Sequence, residues 1–196
     1  MDSATLLAQA LGIAYTAGIN LPATVAVLGL AQRMGWVEAL PGGLHVLGNP
    51  IIIGVAVLLV LIEFIVTLVP GVASLWETTL IVIRPVAAMV LAISTVYHLD
   101  SLYLILAGLL GGGLAITTHG AKLGVRYAVD TSPEPVTNFA ANMAELGWIT
   151  AIGLAMWRHP YITLAVACIA LIVLILLMRS VWRMIKRAFG AGQTAT

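Results

Sequence analysis

Charged side chains are scarce in this sequence. Nine Lys and Arg and eight Asp and Glu account for 9% of the 196 residues, whereas 61% of the residues are hydrophobic. Soluble domains carry about a quarter charged residues and about half apolar ones. The scarcity excludes a soluble domain, and because the few basic residues are spread along the chain, it also argues against a nucleic-acid partner.

Cysteine pairs and the common catalytic motifs are also lacking. The single cysteine, Cys168, excludes an intramolecular disulfide. There is no Walker loop, no dinucleotide fingerprint and no His-Glu-x-x-His, and the four histidines lie on different segments. Neither ATP-driven chemistry nor a metal-dependent membrane enzyme is indicated. The sequence therefore predicts no cofactor, no metal and no enzymatic activity.

What the sequence does have is long hydrophobic runs. About 20 apolar residues cross a hydrocarbon core of about 30 Å. The chain therefore predicts one all-α polytopic membrane domain of six transmembrane helices. The predicted segments are 4 to 34, 51 to 69, 74 to 97, 102 to 128, 138 to 157 and 160 to 182.

Two of the six segments contain helix breakers. Gly18-Ile19-Asn20-Leu21-Pro22 interrupts the first segment, and Gly111-Gly112-Gly113 interrupts the fourth. Proline removes a backbone donor, and each glycine weakens helix propensity by about 1 kcal/mol. Helices 1 and 4 are therefore predicted to be broken.

The two halves of the chain also resemble each other. Gly18 to Arg33 laid on Gly111 to Arg126 gives five identities in sixteen positions, and each half then carries one Glu within a span. This order predicts two inverted three-helix repeats, 1–98 and 99–188, followed by a cytoplasmic tail, 189–196. Inverted repeats with broken helices are the plan of many secondary transporters.

Basic residues predict the orientation. With a cytoplasmic N-terminus, the cytoplasmic face receives six basic residues and the outer face two. The six are Lys122, Arg126, Arg179, Arg183, Lys186 and Arg187, and the two are Arg33 and Arg158. The excess predicts that both termini are cytoplasmic.

Three ionisable residues lie near the middle of predicted spans: Glu63, Arg84 and Glu145. A carboxylate there must be protonated, paired or facing water, and an arginine needs carboxylates, carbonyls or an anionic ligand. We therefore expect the three side chains to converge on one interior polar site. The same convergence is equally consistent with a buried ion pair that only holds the helices together.

Further polar residues extend this candidate site. Those assigned to a substrate or proton pathway are Asn20, Thr117, Thr118, Asn138 and Asn142. Those assigned to a site for an anion or a lipid phosphate are Gly111, Gly112, Gly113, His119, Lys122 and Arg126. The alternatives are hydrogen bonds between helices for Asn138 and Asn142 and bonds to the freed carbonyls of the broken helix for Thr117 and Thr118. For His119, Lys122 and Arg126 the alternative is a basic helix end at the lipid phosphates.

The chain resembles a bacterial membrane family called domain of unknown function 4126. The resemblance rests on Glu63 with Pro70, on Arg84-Pro85, on Lys122 with Arg126, and on Ser132-Pro133-Glu134-Pro135 followed by Asn138. Uncharged residues at 65 to 67 depart from the family's pattern. The resemblance implies a bacterial inner membrane location and no particular activity.

Together these features predict a small secondary transporter or lipid-linked flippase for an anionic or zwitterionic substrate, with Glu63 or Glu145 exchanging a proton. The partners would be membrane lipids and a small-molecule or lipid-linked substrate; whether the chain forms a homo-oligomer stays open. The alternative is a scaffold or assembly factor whose buried charges are structural.

Overall fold

A computed structural model describes residues 1–37, 39–69, 71–130 and 135–190, and within these ranges all regular secondary structure is helical. The helices are α1 (Ser3–Ile19), α2 (Leu21–Arg33), α3 (Pro50–Val66), α4 (Val72–Thr79), α5 (Ile83–Val96), α6 (Ser101–Val129), α7 (Pro135–Arg158) and α8 (Pro160–Gly190). A short 3-10 helix, Gly42–Gly48, precedes α3. The all-α prediction is confirmed. Pro70, Ser132 to Glu134 and most of the predicted tail lie outside the described residues.

Several helices are long and apolar enough to span a membrane. Helices α6 and most of α7 qualify alone, and two bent pairs qualify together: the 3-10 helix with α3, bent by 76°, and α4 with α5, bent by 50°. The described residues thus supply up to four such spans, against the six predicted. The third predicted segment, expected to be continuous, is broken between α4 and α5.

The predicted break in the first segment is found at Asn20. This residue is extended, with φ −150° and ψ 103°, between the end of α1 and the start of α2. Its side-chain oxygen accepts a hydrogen bond from the Ala23 amide at 2.9 Å, and Pro22 lies in the first turn of α2. Both features start a helix, because a cap satisfies an otherwise free amide and a proline there costs no hydrogen bond.

The predicted break in the fourth segment is wrong, because α6 continues through all three glycines. A Cβ atom on Gly111 would lie 2.9 Å from the Ala92 Cβ atom and 3.3 Å from the Ala14 Cβ atom. Glycine here lets α1, α5 and α6 approach closely. Close packing of small residues stabilises membrane helix contacts and offsets the low helix propensity of glycine.

The order of contacts shows that α1 and α6 run in the same direction. Ala14 lies against Gly111, and one turn further along both helices Gly18 lies against Ala115. Inverted three-helix repeats require their first helices to run in opposite directions. The contacts therefore do not support the predicted repeat.

Helices α1 and α2 form a V with its apex at Asn20. A Cβ atom on Gly12 would lie 3.4 Å from Met156 Cε, and one on Gly153 would lie 3.2 Å from Val27 Cγ1. Asn20, at the apex, contacts Glu145, which lies two turns before Gly153 on α7. Helix α1 therefore runs antiparallel to α7, and α2 runs parallel to it.

Close packing at Gly18 predicts a clear difference between two glycine substitutions. A Cβ atom on Gly18 would lie 2.0 Å from Thr118 Oγ1 and 2.8 Å from Ala115 backbone atoms, whereas one on Gly113 would meet nothing within 4 Å. We expect Gly18→Ala to lower the free energy of unfolding by about 1–3 kcal/mol, as overpacking does. Gly113→Ala should raise it by up to about 1 kcal/mol. Denaturation in detergent measures both; a destabilised Gly113→Ala protein would contradict this explanation of the glycines.

Candidate functional site

Three carboxylates and three basic side chains meet in the interior of the helix bundle. Helices α3, α4 and α7 supply the carboxylates, and α5 and α6 supply the basic groups. The six members of this charge cluster are Glu63, Glu77, Arg84, Lys122, Arg126 and Glu145, and none of their side chains is more than 11% exposed. With all six ionised the charge cluster is neutral, which limits the cost of burying it.

Lys122 is the centre of the charge cluster. Its ammonium nitrogen lies 3.0 Å from Glu63 Oε1, 2.7 Å from Glu77 Oε1 and 2.8 Å from Glu145 Oε1. A fourth oxygen, the Ile19 carbonyl, lies 2.9 Å away. An ammonium group has only three N–H donors, and Glu77 Oε1 is close to it without a hydrogen bond. One positive charge therefore holds α3, α4 and α7 to α6.

The break at Asn20 supplies four of the contacts that complete the cluster. Because the Asn20 side chain caps the Ala23 amide, the Ile19 carbonyl is free to accept from both Arg84 Nη1, at 2.8 Å, and Lys122. Asn20 Nδ2 donates to Glu63 Oε1 and to Glu145 Oε1, each at 2.9 Å. The apex of the V therefore makes hydrogen bonds to both the basic and the acidic side chains of the charge cluster.

Glu77 is a member of the charge cluster that the sequence reasoning missed. Its Oε2 atom lies 2.5 Å from Arg84 Nη1, while Arg84 Nη2 lies 2.6 Å from Glu63 Oε1. His119 Nε2 lies 3.1 Å from the Glu77 carbonyl oxygen. The number of charges in the sequence was a signal for a third acidic residue, because three basic residues, Arg84, Lys122 and Arg126, face only two predicted acidic ones. Glu77 lies two helical turns before Arg84 in the sequence.

Arg126 is only partly paired. Its Nη2 atom donates to Asn142 Oδ1 at 2.5 Å and to Glu145 Oε2 at 3.0 Å. Asn142 Nδ2 in turn donates to Thr67 Oγ1 at 2.9 Å, which fixes α7 to the end of α3. The other terminal nitrogen of Arg126, Nη1, is buried and has no hydrogen-bond partner in the described part of the chain.

A groove of about 470 Å³ opens beside the charge cluster. Its walls come from α1, α6, α7 and α8, and its lining is mainly apolar apart from Lys122, Arg126 and Glu145. The lining residues are Tyr15, Ile19, Thr118, Lys122, Val125, Arg126, Ala141, Ala144, Glu145, Trp148, Ala170, Leu171 and Val173. Glu145 is the most exposed carboxylate of the cluster, at 11% against 4% for Glu63 and 0% for Glu77. The groove suits a molecule with an apolar body and a charged end.

Most of the predicted site residues are brought together. Glu63, Arg84, Glu145, Asn20, Asn142, Lys122 and Arg126 share the contacts above, and Thr118 lines the groove. Lys122 and Arg126, which were predicted to bind an anion or a lipid phosphate, both pair with Glu145. His119 joins them through the Glu77 carbonyl.

Other predicted residues lie elsewhere. Thr117 is exposed and bonds to the Gly113 carbonyl of its own helix at 2.8 Å, because it points away from the packed face of α6. The three glycines offer no free amides to an anion, since they lie inside a continuous helix. Asn138 is buried on α7, and neither atom of its amide has a hydrogen-bond partner in the described ranges. Among the same residues, no group of three or more His, Cys, Asp and Glu side chains could hold a metal ion.

Comparison with known proteins identifies the family and no function. The model of the family described as domain of unknown function 4126 matches residues 7–180, so the chain belongs to that family, and the resemblance seen in the sequence is confirmed. No curated protein and no solved structure matches the chain.

Proposed function

We propose that this member of the domain of unknown function 4126 family is a transporter or flippase for an anionic amphiphile in a bacterial inner membrane. The observation that carries the proposal is the groove, whose mainly apolar lining includes Lys122, Arg126 and Glu145, together with Arg126 Nη1, which is buried and has no hydrogen-bond partner among the described residues. An apolar pocket with a few convergent polar groups is the usual form of a small-molecule site. The apolar part of the ligand would lie along α8, and its anion would bind Arg126.

Charge balance links the anion to a proton. The charge cluster carries three negative and three positive groups. A bound monoanion would leave one uncompensated negative charge in a poorly solvated interior, which is costly. Protonation of one carboxylate restores neutrality, and Glu145 is the candidate because it lines the groove and is the most exposed of the three.

Glu145 also competes with the ligand for the same cations. Its two oxygens accept from Lys122 and Arg126, so protonation weakens both contacts and frees these donors for the anion. Anion and proton would therefore bind together and leave together. This is the property required of a proton-coupled carrier.

Uptake into proteoliposomes tests the function. The probe is lauroyloxyacetate, a single-chain carboxylate, with a pH gradient imposed across the membrane. We expect accumulation when the side from which the ligand enters is the more acidic one, and loss of at least about nine-tenths of it in Arg126→Gln, because the ligand's charge-assisted partner is gone. Arg158→Gln, at the end of α7 and outside the cluster, is the control. An initial uptake rate, above that of protein-free liposomes, that is the same for Arg126→Gln and the wild-type protein would refute the proposal.

The helix directions support a topology different from the predicted one. Helix α8 starts beside the start of α1, where Thr5 Oγ1 lies 3.0 Å from the Tyr161 hydroxyl, and its residue Leu171 reaches the level of Tyr15. In our proposal α1 and α2 enter the membrane and leave it on the same face. The membrane is then crossed five times, by α3, α4–α5, α6, α7 and α8. The two termini then lie on opposite faces.

Basic residues orient this five-crossing topology. Arg179 and Arg183 lie near the far end of α8, while Arg33 and Arg158 lie on the face where α1 begins. Lys186 and Arg187 follow in the same helix. The positive-inside rule then places the C-terminus in the cytoplasm and the N-terminus outside.

Cysteine labelling distinguishes the two topologies. In a Cys168→Ala background, a cysteine at exposed Ala4 should react with an impermeant reagent added outside intact cells, as should the control at exposed Asp100, which lies outside in both topologies. If the cysteine at position 4 were protected in cells where the cysteine at position 100 is labelled, the N-terminus would be cytoplasmic. Both termini would then lie in the cytoplasm, and α1 and α2 would not enter and leave on one face.

The alternative function is a scaffold, and the ion pairs of the charge cluster favour it. All six members have an oppositely charged partner within 3.0 Å on another helix. A purely structural cluster would hold the helices without binding any anion. Absence of both ligand binding and proton uptake in purified protein would favour this function.

A further inference from the structure

A second polar point lies in the groove, away from the charge cluster. The Tyr15 hydroxyl accepts a hydrogen bond from Trp148 Nε1 at 3.0 Å. Its own hydrogen has no acceptor within the described residues, although Tyr15 is only 4% exposed. A buried hydroxyl donor without an acceptor is unfavourable, and both residues line the groove. The groove therefore holds a donor that no described residue uses.

The spacing between the two polar points is set by the helices that carry them. Tyr15 precedes Ile19 by four residues on α1, and Trp148 follows Glu145 by three residues on α7. At about 1.5 Å of rise per residue, these separations are about 6 Å and about 4.5 Å. Along the helix axes, Tyr15 and Trp148 thus lie about one helical turn from Ile19 and Glu145, which contact the cations Lys122 and Arg126.

We infer that the ligand is an acylated amphiphile: a single acyl chain whose ester or amide carbonyl lies about one helical turn, about 5 Å, from an anionic group. The carbonyl oxygen would accept from Tyr15, the anion would bind Arg126 Nη1, and the chain would lie along the apolar wall at Ala170 and Leu171. Simple fatty acids and alkyl sulfates lack the carbonyl at this distance. The inference rests on the proposed function, because it places the ligand in the same groove.

Two matched probes test for the carbonyl. Lauroyloxyacetate and dodecyloxyacetate are both single-chain monoanions, and they differ in the presence of the carbonyl oxygen. We expect the wild-type protein in nanodiscs to bind the acyl probe about three- to tenfold more tightly, the effect of one hydrogen bond. Tyr15→Phe should bind both probes equally, at the level of the alkyl probe.

A second variant keeps the test decisive if Tyr15→Phe disturbs Trp148. Trp148→Phe removes the indole donor and leaves the Tyr15 hydroxyl, so it should retain the preference for the acyl probe. Equal affinities in the wild-type protein, or a preference that survives in Tyr15→Phe, would overturn the inference while leaving an anion site at Arg126 intact. Failure of the wild-type protein to bind either probe would overturn the proposed function instead.

Discussion

Replacing Lys122 with methionine is expected to lower the free energy of unfolding by about 3–5 kcal/mol, the usual cost of removing one partner from a buried ion pair. The physical reason is that three carboxylates lie within 3.0 Å of this one ammonium group. Methionine has a similar length and no charge, so the loss measures electrostatics more than packing. Chemical denaturation of purified protein in detergent micelles gives the value.

A compensating substitution separates charge from shape. In Lys122→Met with Glu145→Gln, the cluster again has equal numbers of acidic and basic groups, so most of the lost stability should return. Arg158→Met removes a basic residue that is exposed at the end of α7 and should change stability by less than about 0.5 kcal/mol. A Lys122→Met protein as stable as Arg158→Met would show that Lys122 does not hold the cluster.

Glu145→Gln is expected to remove the pH dependence of anion binding. If one proton accompanies each anion, wild-type affinity should fall about tenfold for each unit that the pH rises between about pH 6 and pH 8. Glutamine keeps the shape of Glu145 and leaves the charge cluster with one positive charge in excess, so the anion restores neutrality without a proton. Affinity should then stay constant over the same range, and uptake driven by a pH gradient should cease.

A surface carboxylate provides the control for this substitution. Asp100 is exposed before α6, and its side chain makes no capping hydrogen bond. Asp100→Asn makes the same chemical change outside the charge cluster and should leave the pH dependence of binding as in the wild type. A tenfold slope that persists in Glu145→Gln would mean that another group takes up the proton.

The convergence of Glu63, Arg84 and Glu145 could be predicted because of where they lie in the sequence. Each lies within a hydrophobic segment, where an uncompensated charge is expensive, so each needs a partner. The same argument applies to Glu77, but a boundary drawn near residue 74 placed it close to a helix end. Its importance depends on the bend between α4 and α5, which brings it beside Arg84 and Lys122.

Local sequence could not distinguish a break from a close helix contact. Asn20 and the glycines at 111 to 113 both weaken a helix, yet only Asn20 interrupts one. The difference comes from the neighbours: Gly111 packs on Ala14 and Ala92, which compensates for its low propensity, while the Asn20 side chain caps a new helix. The reversal of the chain at Asn20 likewise depends on contacts of α1 and α2 with α7, and a hydropathy pattern contains no information on them.

Counting the protons taken up with the anion shows whether anion and proton bind together. Titration calorimetry of lauroyloxyacetate into the wild-type protein, repeated in buffers with different ionisation enthalpies, gives the number of protons taken up per bound anion. We expect about one proton per bound anion for the wild-type protein and none for Glu145→Gln. Anion binding to the wild-type protein without proton uptake would contradict the proposed coupling.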